Sequence, residues 1–557
     1  MNIKFSILVA FSSLVFIGNV LNAQEQGWHL KDANTTGSCG ISAQDLYSSL
    51  LKGRASQTVV VAVIDSGIDV EHEDLKDNIW VNPGEIADNG IDDDNNGYID
   101  DVNGWNFIGG SDGKNVNADT YEVTRLYGKY HYKYDGAVRE QLSKSDKKEY
   151  DLYQKCKAEV ENKIENAKRG LENYEGTKAS VKASLTALKD ALGDQELSKE
   201  AIQAVEVADN ESLATAVKIL MGEYANGNEI ESLEAFESDI YGELDGGINY
   251  FSGQLEHAYN PDFDTRTIVG DDYSNQREKY YGNNDVEGPD ALHGTHVAGI
   301  IGAVRGNDIG MDGVAANVKL MSVRTVPDGD ERDKDVANAI RYAVDNGASI
   351  INMSFGKGYS WEEKVVEDAI KYAKEKDVLL VHAAGNSSQN NDNTDNFPND
   401  HYKGKRFLGI FKAKDKYYEN WMEIGALNYA SGENFPAPFS NYGVKNVDLF
   451  APGMAIYSTL PDDEYRNLQG TSMAAPVVAG VAAVLRSYFP TLTAVQVKEI
   501  LMSSVTKIND KVLVPGSKDK YVPFSQLSIT GGVVNAEKAI KMAKITPGKK
   551  KISKGKA

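Results

Sequence analysis

Cysteine is scarce in this sequence, with only Cys39 and Cys156 among 557 residues. Folds that depend on several disulfides are therefore excluded. A chain of this length can bury a large core or several domains without such cross-links. The two cysteines could pair in an oxidising compartment, but Cys156 also falls on an apolar helical stripe where a free thiol would be buried. The sequence therefore leaves open whether the two cysteines form a disulfide or remain free thiols.

Positively charged residues are outnumbered: the chain has 59 Lys and Arg but 82 Asp and Glu, which gives a net charge of −23. Nucleic-acid binding and attachment to anionic lipid both need a basic surface. These partners are excluded, and polyanionic substrates are not expected. A lysine-rich stretch at residues 546–557 is predicted to be a disordered basic tail.

Long apolar runs are missing after the first two dozen residues. The chain starts with Lys4, an apolar stretch from Phe5 to Leu21, and the small residue Ala23. This pattern predicts a signal peptide over residues 1–23, cleaved near Ala23, and a secreted or periplasmic protein. The alternative, a transmembrane anchor, is disfavoured because the run is short and interrupted by polar residues. No membrane anchor is expected in the mature chain.

Apolar runs of strand length recur along the rest of the chain, beginning with "TVVVAVIDSG" from Thr58. Further runs are "VKLMSVRTV", "ASIINMSFG", "DVLLVHAAGN", "MEIGAL" and "VDLFAPG", and helical periods lie between several of them. Continuous apolar strands that alternate with helices predict an α/β fold with a largely parallel sheet covered on both faces. Sites in such folds form outside the carboxyl ends of the strands.

One long segment breaks this alternation. We predict a single domain over residues 24–545, with an insertion over residues 111–288 that is helical from about 138 to 220. The helical part has apolar residues at spacings of three and four between many charged residues. This pattern indicates a small hairpin or bundle with a solvated outer face.

Three polar stretches carry residue types that together form a nucleophilic site. A serine hydroxyl is a weak nucleophile at neutral pH, so it needs a base and a carboxylate that orients the base. Ser472 in "QGTSMAAP", His293 in "LHGTHVAGIIGA" and Asp65 in "VVVAVIDSGID" supply these types. In "VLLVHAAGNSS", the Asn386 amide is placed after a strand, where it could donate to a developing oxyanion. Taken alone, Ser472 would be interpreted as a helix cap.

Taken together, these residues resemble those of the subtilisin-like serine proteases. The resemblance rests on "VIDSGI", "HGTHVAG", "AAGN" and "GTSMAAP" in that order, together with "MSFG" and "FSNYG". It implies a three-layer fold with the sheet between helices, and a secreted endopeptidase that acts on proteins or peptides through an acyl-enzyme. It also implies that Asp65 orients His293, that His293 is the base, that Ser472 attacks the carbonyl and that Asn386 completes the oxyanion hole.

The same resemblance assigns substrate binding to Ser354, Phe355 and Gly356. In this family the end of that strand pairs with an extended substrate backbone, as an added strand. Main-chain pairing does not discriminate between side chains, so a broad preference is expected. The alternative is ordinary termination of a strand.

An oxygen-rich loop at "DNGIDDDNNGYIDD" has the spacing of the first part of a calcium loop. The predicted ligands, including the Tyr98 carbonyl, are Asp92, Asp94, Asn96, Tyr98 and Asp100. The family resemblance makes structural Ca²⁺ the expected cofactor. The alternative is an Asp- and Asn-rich turn without metal.

Two other functions compete with the protease. A catalytically silent scaffold could bind a partner through the helical insertion, although such a protein has no need for the four candidate catalytic residues. A lipase or esterase of the α/β-hydrolase type is disfavoured, since it would have the order nucleophile, acid, base and a G-x-S-x-G motif. The oligomeric state is left open.

Overall fold

The computed structural model describes residues 26–32, 39–402 and 416–550. The predicted signal peptide lies outside these residues, as do residues 551–557 of the basic tail. The chain divides into two compact units, one formed by Met1–Asn117 with Thr265–Ala557 and the other by Ala118–Asp264. Of the described helices, none combines the length and the apolar character that crossing a bilayer requires.

The strands all lie in the first unit. In chain order they are β1 Val59–Asp65, β2 Gly104–Asn106, β3 Val318–Arg324, β4 Ile350–Met353, β5 Leu379–Ala383, β6 His401–Tyr402, β7 Lys416–Tyr417, β8 Trp421–Leu427, β9 Leu449–Pro452, β10 Ile456–Leu460, β11 Glu464–Leu468, β12 Thr506–Lys507, β13 Lys511–Leu513, β14 Tyr521–Pro523 and β15 Gly532–Val533.

The α-helices are divided between the two units. Those of the second unit are α1 Glu122–Tyr134, α2 Lys144–Leu192, α3 Lys199–Gln203, α4 Glu211–Ala225 and α5 Leu233–Gly253. Those of the first unit are α6 Arg266–Val269, α7 Leu292–Gly302, α8 Asp333–Asp345, α9 Glu363–Glu375, α10 Thr471–Tyr488, α11 Ala494–Ser503 and α12 Ala536–Ala543.

Nine strands form one sheet in the order β12-β15-β9-β8-β5-β4-β1-β3-β2. The pairs from β15 to β2 are parallel, and β12 pairs with β15 antiparallel. The predicted α/β class with a largely parallel sheet is confirmed.

The central strand β1 shows why its sequence is continuously apolar. Val61 and Val63 pack with residues of α7 and α10 on one face of the sheet. Ala62 and Ile64 pack with residues of α8 and α9 on the other face. Helices cover both faces, so alternation with polar residues is not needed. Each fully buried valine contributes roughly 1.5–3 kcal/mol to stability.

The second unit has its own apolar core. Leu185 and Leu188 of α2 pack with Leu213 and Leu220 of α4 and with Leu244 of α5. The α-helices of this unit extend on both sides of the predicted helical range, from Glu122 to Gly253, and a π-helix follows at Gln254–Ala258.

Both cysteines are free thiols. Cys156 lies buried on α2, whereas Cys39 is half-buried in the other unit. Burial is the main cause that raises the pKa of Cys39 to about 11 and that of Cys156 to about 12. Burial therefore disfavours the thiolate, which is the reactive form, in both residues at neutral pH.

Candidate active site

The candidate catalytic residues come from the ends of strands and the starts of helices. Asp65 is the last residue of β1, and Asn386 follows the end of β5. His293 and Ser472 are each the second residue of a helix, α7 and α10 respectively. The candidate site therefore lies at the carboxyl ends of the parallel strands, as expected for an α/β fold.

Asp65 and His293 form a short hydrogen bond. His293 Nδ1 lies 2.6 Å from Asp65 Oδ1, which also accepts the Ser66 N–H at 2.8 Å. The Asp65 side chain is 2% exposed and that of His293 is 37% exposed. The carboxylate is thus fixed in the interior, while the imidazole can be reached from solvent.

The electrostatic surroundings of His293 favour its charged form. Burial lowers the pKa of His293, but the charge of Asp65 and the hydrogen bond to it outweigh that effect, with a smaller contribution from Asp290. The net result is a pKa above the ordinary value of 6.5. A carboxylate beside a histidine has this effect because it stabilises the imidazolium.

Gly294 explains why the helix of His293 can approach Asp65 so closely. A Cβ at this position would lie 2.0 Å from the Gly67 carbonyl oxygen and 3.2 Å from Asp65 Cβ. Any side chain there would push α7 away from the end of β1. The glycine after His293 is therefore a requirement of packing between these two elements.

Ser472 and Ser354 are joined by two reciprocal hydrogen bonds. Ser472 Oγ donates to the Ser354 carbonyl at 3.0 Å, and Ser354 Oγ donates to the Ser472 carbonyl at 2.9 Å. Within the described residues, no hydrogen bond joins Ser472 to His293, although His293 and Ser354 line the same cleft. Catalytic hydrogen bonds are often long or misaligned without substrate and tighten in its complex.

Asn386 is held by its carbonyl oxygen. Its Oδ1 accepts hydrogen bonds from the Thr471 N–H and the Thr471 hydroxyl, both at 2.9 Å. This fixes the amide orientation, since only the oxygen can accept from a backbone N–H. The Nδ2 group is left as a donor.

The donor nitrogens of Asn386 and Ser472 both lie beside Gly470. A Cβ placed on Gly470 would lie 3.4 Å from Asn386 Nδ2 and 3.5 Å from the Ser472 backbone nitrogen. The absence of a side chain keeps this space open. Two N–H donors this close to one position are able to stabilise an oxyanion there if both are directed towards it.

Residues 354–356 leave the sheet after β4. Ser354 is buried, Phe355 is half-buried and Gly356 is exposed. In the described part of the chain, the main-chain groups of Phe355 and Gly356 have no main-chain partner. Lys357 then pairs with Phe397 in a short antiparallel bridge. The segment therefore offers free backbone groups between two fixed points.

Sequence reasoning missed the buried ion pair that anchors this segment. Lys357 Nζ lies 2.7 Å from Asp333 Oδ1 and donates to the Glu331 carbonyl at 2.6 Å. Both side chains of the ion pair are at least 95% buried. No periodicity or motif links residues 333 and 357, so the sequence carried no signal for the pair.

A cleft of about 270 Å³ lies beside the candidate catalytic residues. His293 and Ser354 line it, together with Asp65, Ser66, Asn117, Asp290, Leu292, Arg324, Val326, Pro327 and Asp328. Its position next to the imidazole makes it available to a group bound near Ser472.

Three carboxylates gather at the predicted metal loop. Ligand oxygens of Glu85, Asp92 and Asp94 all lie within 4.8 Å of one another. Glu85 Oε2 is buried and has no hydrogen-bond partner in the described residues. Glu85 was not predicted, because it lies outside the loop's ligand spacing and is added when the chain folds back.

Loop N–H groups donate to the other predicted ligands, as they also do to Asp92 and Asp94. Asp100 accepts the N–H groups of Asn89 and Gly90 at 3.2 and 2.9 Å, and is not part of the carboxylate group. Asn96 Oδ1 accepts the N–H of Tyr98 at 2.8 Å. These contacts are those of a tight turn within the loop.

Comparisons with a family model and with known proteins all point to the same family. A model of the subtilase family matches residues 56–522. Subtilisin DY of Bacillus licheniformis is 37% identical over 220 residues, which are 39% of this chain and 72% of that protein. A thermophilic serine proteinase of Bacillus sp. (strain AK1) is 35% identical over 246 residues, 44% of this chain and 51% of that protein. The chain thus spans about half the length of the second relative.

Among solved structures, one of proteases from Pseudoalteromonas arctica matches with 27% identity and a TM-score of 0.37. It covers 47% of this chain and 78% of that one. The family match extends over more than four-fifths of the sequence and includes every candidate catalytic residue. This chain is a member of the subtilase family.

Proposed function

We propose that the protein is a serine endopeptidase that hydrolyses proteins or peptides outside the cytoplasm. The observation that carries the proposal is the 2.6 Å hydrogen bond between Asp65 and His293, in a member of the subtilase family. The apolar run from Phe5 to Leu21 supports the location, as a signal peptide.

In the proposed mechanism, His293 takes the proton of the Ser472 hydroxyl. For this step the hydroxyl turns away from the Ser354 carbonyl towards Nε2, the ring nitrogen that Asp65 leaves free. Ser472 Oγ then attacks the scissile carbonyl. Asp65 holds the imidazole in the required tautomer and stabilises the imidazolium.

The carbonyl oxygen becomes an oxyanion next to Gly470. There it accepts hydrogen bonds from Asn386 Nδ2 and from the Ser472 N–H, the two donors whose nitrogens lie beside Gly470. His293 then protonates the leaving amine, and an acyl-enzyme remains on Ser472. Water, activated by His293, hydrolyses the ester and restores the serine.

The free main-chain groups of Phe355 and Gly356 support binding of the substrate as an added strand. Such pairing positions the scissile bond without requiring a chain terminus. An endopeptidase is therefore favoured over an exopeptidase.

We also propose a structural Ca²⁺ held by Glu85, Asp92 and Asp94. Their oxygens fit a hard cation, and the unpartnered, buried Oε2 of Glu85 offers a ligand. No ion pair neutralises these three carboxylates among the described residues, so a cation would relieve their repulsion. The ion's contribution would be to stability.

Hydrolysis of an unfolded protein substrate tests the proposed activity. Ser472→Ala and His293→Ala should each remove nearly all of it, and the double variant should be scarcely worse, because these groups act as a unit. Losses that add up would contradict a shared mechanism. Unchanged hydrolysis in Ser472→Ala would contradict the proposal, and a total absence of hydrolysis in the native chain would favour the binding scaffold.

A further inference from the structure

The cleft beside His293 carries negative charge at its exposed positions. Asp290 and Asp328 both line it and both are exposed. Asp290 Oδ1 accepts the N–H of Leu292 at 3.1 Å, while the Asp328 carboxylate has no hydrogen bond or ion pair with any described residue. Both groups therefore have carboxylate oxygens available to a ligand.

Arg324, the cation of this cleft, is directed into the protein. It is only 1% exposed. Its guanidinium donates to the carbonyls of Ser66 and Val116 at 2.8 and 2.7 Å, and to Asn106 Oδ1 at 3.3 Å. No described carboxylate forms an ion pair with it. When His293 is neutral, as the proposed mechanism requires, the exposed lining thus presents carboxylates without an exposed cation beside them.

The remaining walls of the cleft are apolar. Leu292, Val326 and Pro327 supply them. A long cationic side chain suits such a lining, because its methylene stem packs on apolar groups and its charged end reaches the carboxylates. A volume of about 270 Å³ is just below the roughly 300–1,000 Å³ of whole-ligand pockets, and is consistent with a single side chain.

We propose that this cleft binds a Lys or Arg side chain of the substrate, with Asp290 and Asp328 as specificity-determining residues. The inference rests on the proposed peptidase function. His293 and Ser354 line the same cleft, and the Ser354 carbonyl accepts a hydrogen bond from Ser472 Oγ. Ser354 also begins the segment proposed to pair with the substrate strand, so we assign the bound side chain to one of the two residues before the scissile bond.

Matched chromogenic peptides test this preference. They carry lysine or norleucine at either of these two positions, so that only the charged end differs. For one position we expect kcat/KM to be roughly three- to tenfold higher with lysine, the range of a partly exposed ion pair or two. The ratio should fall towards one in the Asp290→Asn/Asp328→Asn double variant. Asp328→Lys should instead favour glutamate over glutamine at that position.

Asp308→Asn/Asp510→Asn is the matched control. Both aspartates are exposed, lie in the same unit and do not line the cleft, so the lysine-to-norleucine ratio should stay as in the native chain. A ratio of one in the native chain, or an equal ratio in the native chain and the double variant, would overturn the inference.

Calorimetric binding of the same peptides to Ser472→Ala separates this inference from the proposed function. Tighter binding of the lysine peptide, lost in the added Asp290→Asn/Asp328→Asn background, supports the cleft even if the native chain hydrolyses nothing. Equal binding of the two peptides would overturn the cleft assignment even if hydrolysis is fast.

Discussion

Asn386 directs its carbonyl oxygen to Thr471, and this contact determines where its two N–H donors point. The anchor is double, since both the N–H and the hydroxyl of Thr471 donate to Oδ1. Thr471 also accepts the N–H of Gly385 at 3.1 Å. The donor is thereby preorganised before any substrate binds, and preorganisation is what makes such donors effective.

Asn386→Ala should reduce kcat by about 10²–10³-fold, or roughly 2.7–4 kcal/mol, with little change in KM. This magnitude is the one known for subtilisin itself and is carried over to this relative. Thr471→Val, which removes only one of the two anchors, should cost less. Steady-state kinetics on a small peptide provide the measurement, and an unchanged kcat in Asn386→Ala would remove this residue from the oxyanion hole.

The pH dependence follows from the raised pKa of His293. The base must be neutral to take the serine proton, so kcat/KM should fall on acidification with an apparent pKa above the ordinary 6.5. Asp65→Asn removes the main stabilisation of the imidazolium, so this midpoint should move to lower pH while the rate drops. Asp510→Asn, in an exposed turn, should leave it in place. A midpoint below 6.5 in the native chain would contradict this account.

At the scale of elements, the sequence predicted where strands end better than it predicted the side-chain contacts between distant segments. The run before Asp65 predicts a buried strand, and β1 ends at that residue. The pair of Lys357 and Asp333 could not be predicted, because it depends on how the chain after β4 returns to α8. Glu85 was missed for the same reason, as a contact made only in the folded loop.

The aspartates of the metal loop differ in whether their carboxylates belong to the proposed Ca²⁺ site, as those of Asp92 and Asp94 do and that of Asp100 does not. Ca²⁺ should raise the melting temperature of the native chain, since an ion bound only by the folded state stabilises it. Asp94→Asn should reduce this increase. Asp100→Asn is the contrast, because the Asp100 carboxylate lies outside the group formed by Glu85, Asp92 and Asp94; it should lower the melting temperature equally with calcium and with chelator. Identical melting of the native chain in both conditions would exclude the site.

At the scale of the whole molecule, the chain contains two units with separate cores. The sequence predicted an insertion over residues 111–288, helical from about 138 to 220, because the alternation of strand and helix stops there. The compact unit is Ala118–Asp264. Its exact limits could not be predicted, since they depend on which flanking residues pack with this unit in the folded chain.

Replacing Ala118–Asp264 by a short flexible linker should leave the first unit folded, because that unit retains its own core. If the insertion limits access of bulky substrates, cleavage of a small chromogenic peptide should stay within about tenfold, or roughly 1.4 kcal/mol in barrier. Cleavage of a folded protein should change much more. Equal effects on both substrates, at unchanged melting and oligomeric state, would contradict a role in access. A linker over residues 138–220 alone would delete α2 and most of α4, and would expose the apolar residues of α5 that pack against them.

The most direct test of the central claim is covalent labelling with a fluorophosphonate, followed by mapping of the modified residue. The probe reacts with a serine that a neighbouring base has activated. The account predicts one label on Ser472 in the native chain, much slower labelling in His293→Ala and none in Ser472→Ala. A native chain that takes up no label, or carries it on another serine, would contradict the account.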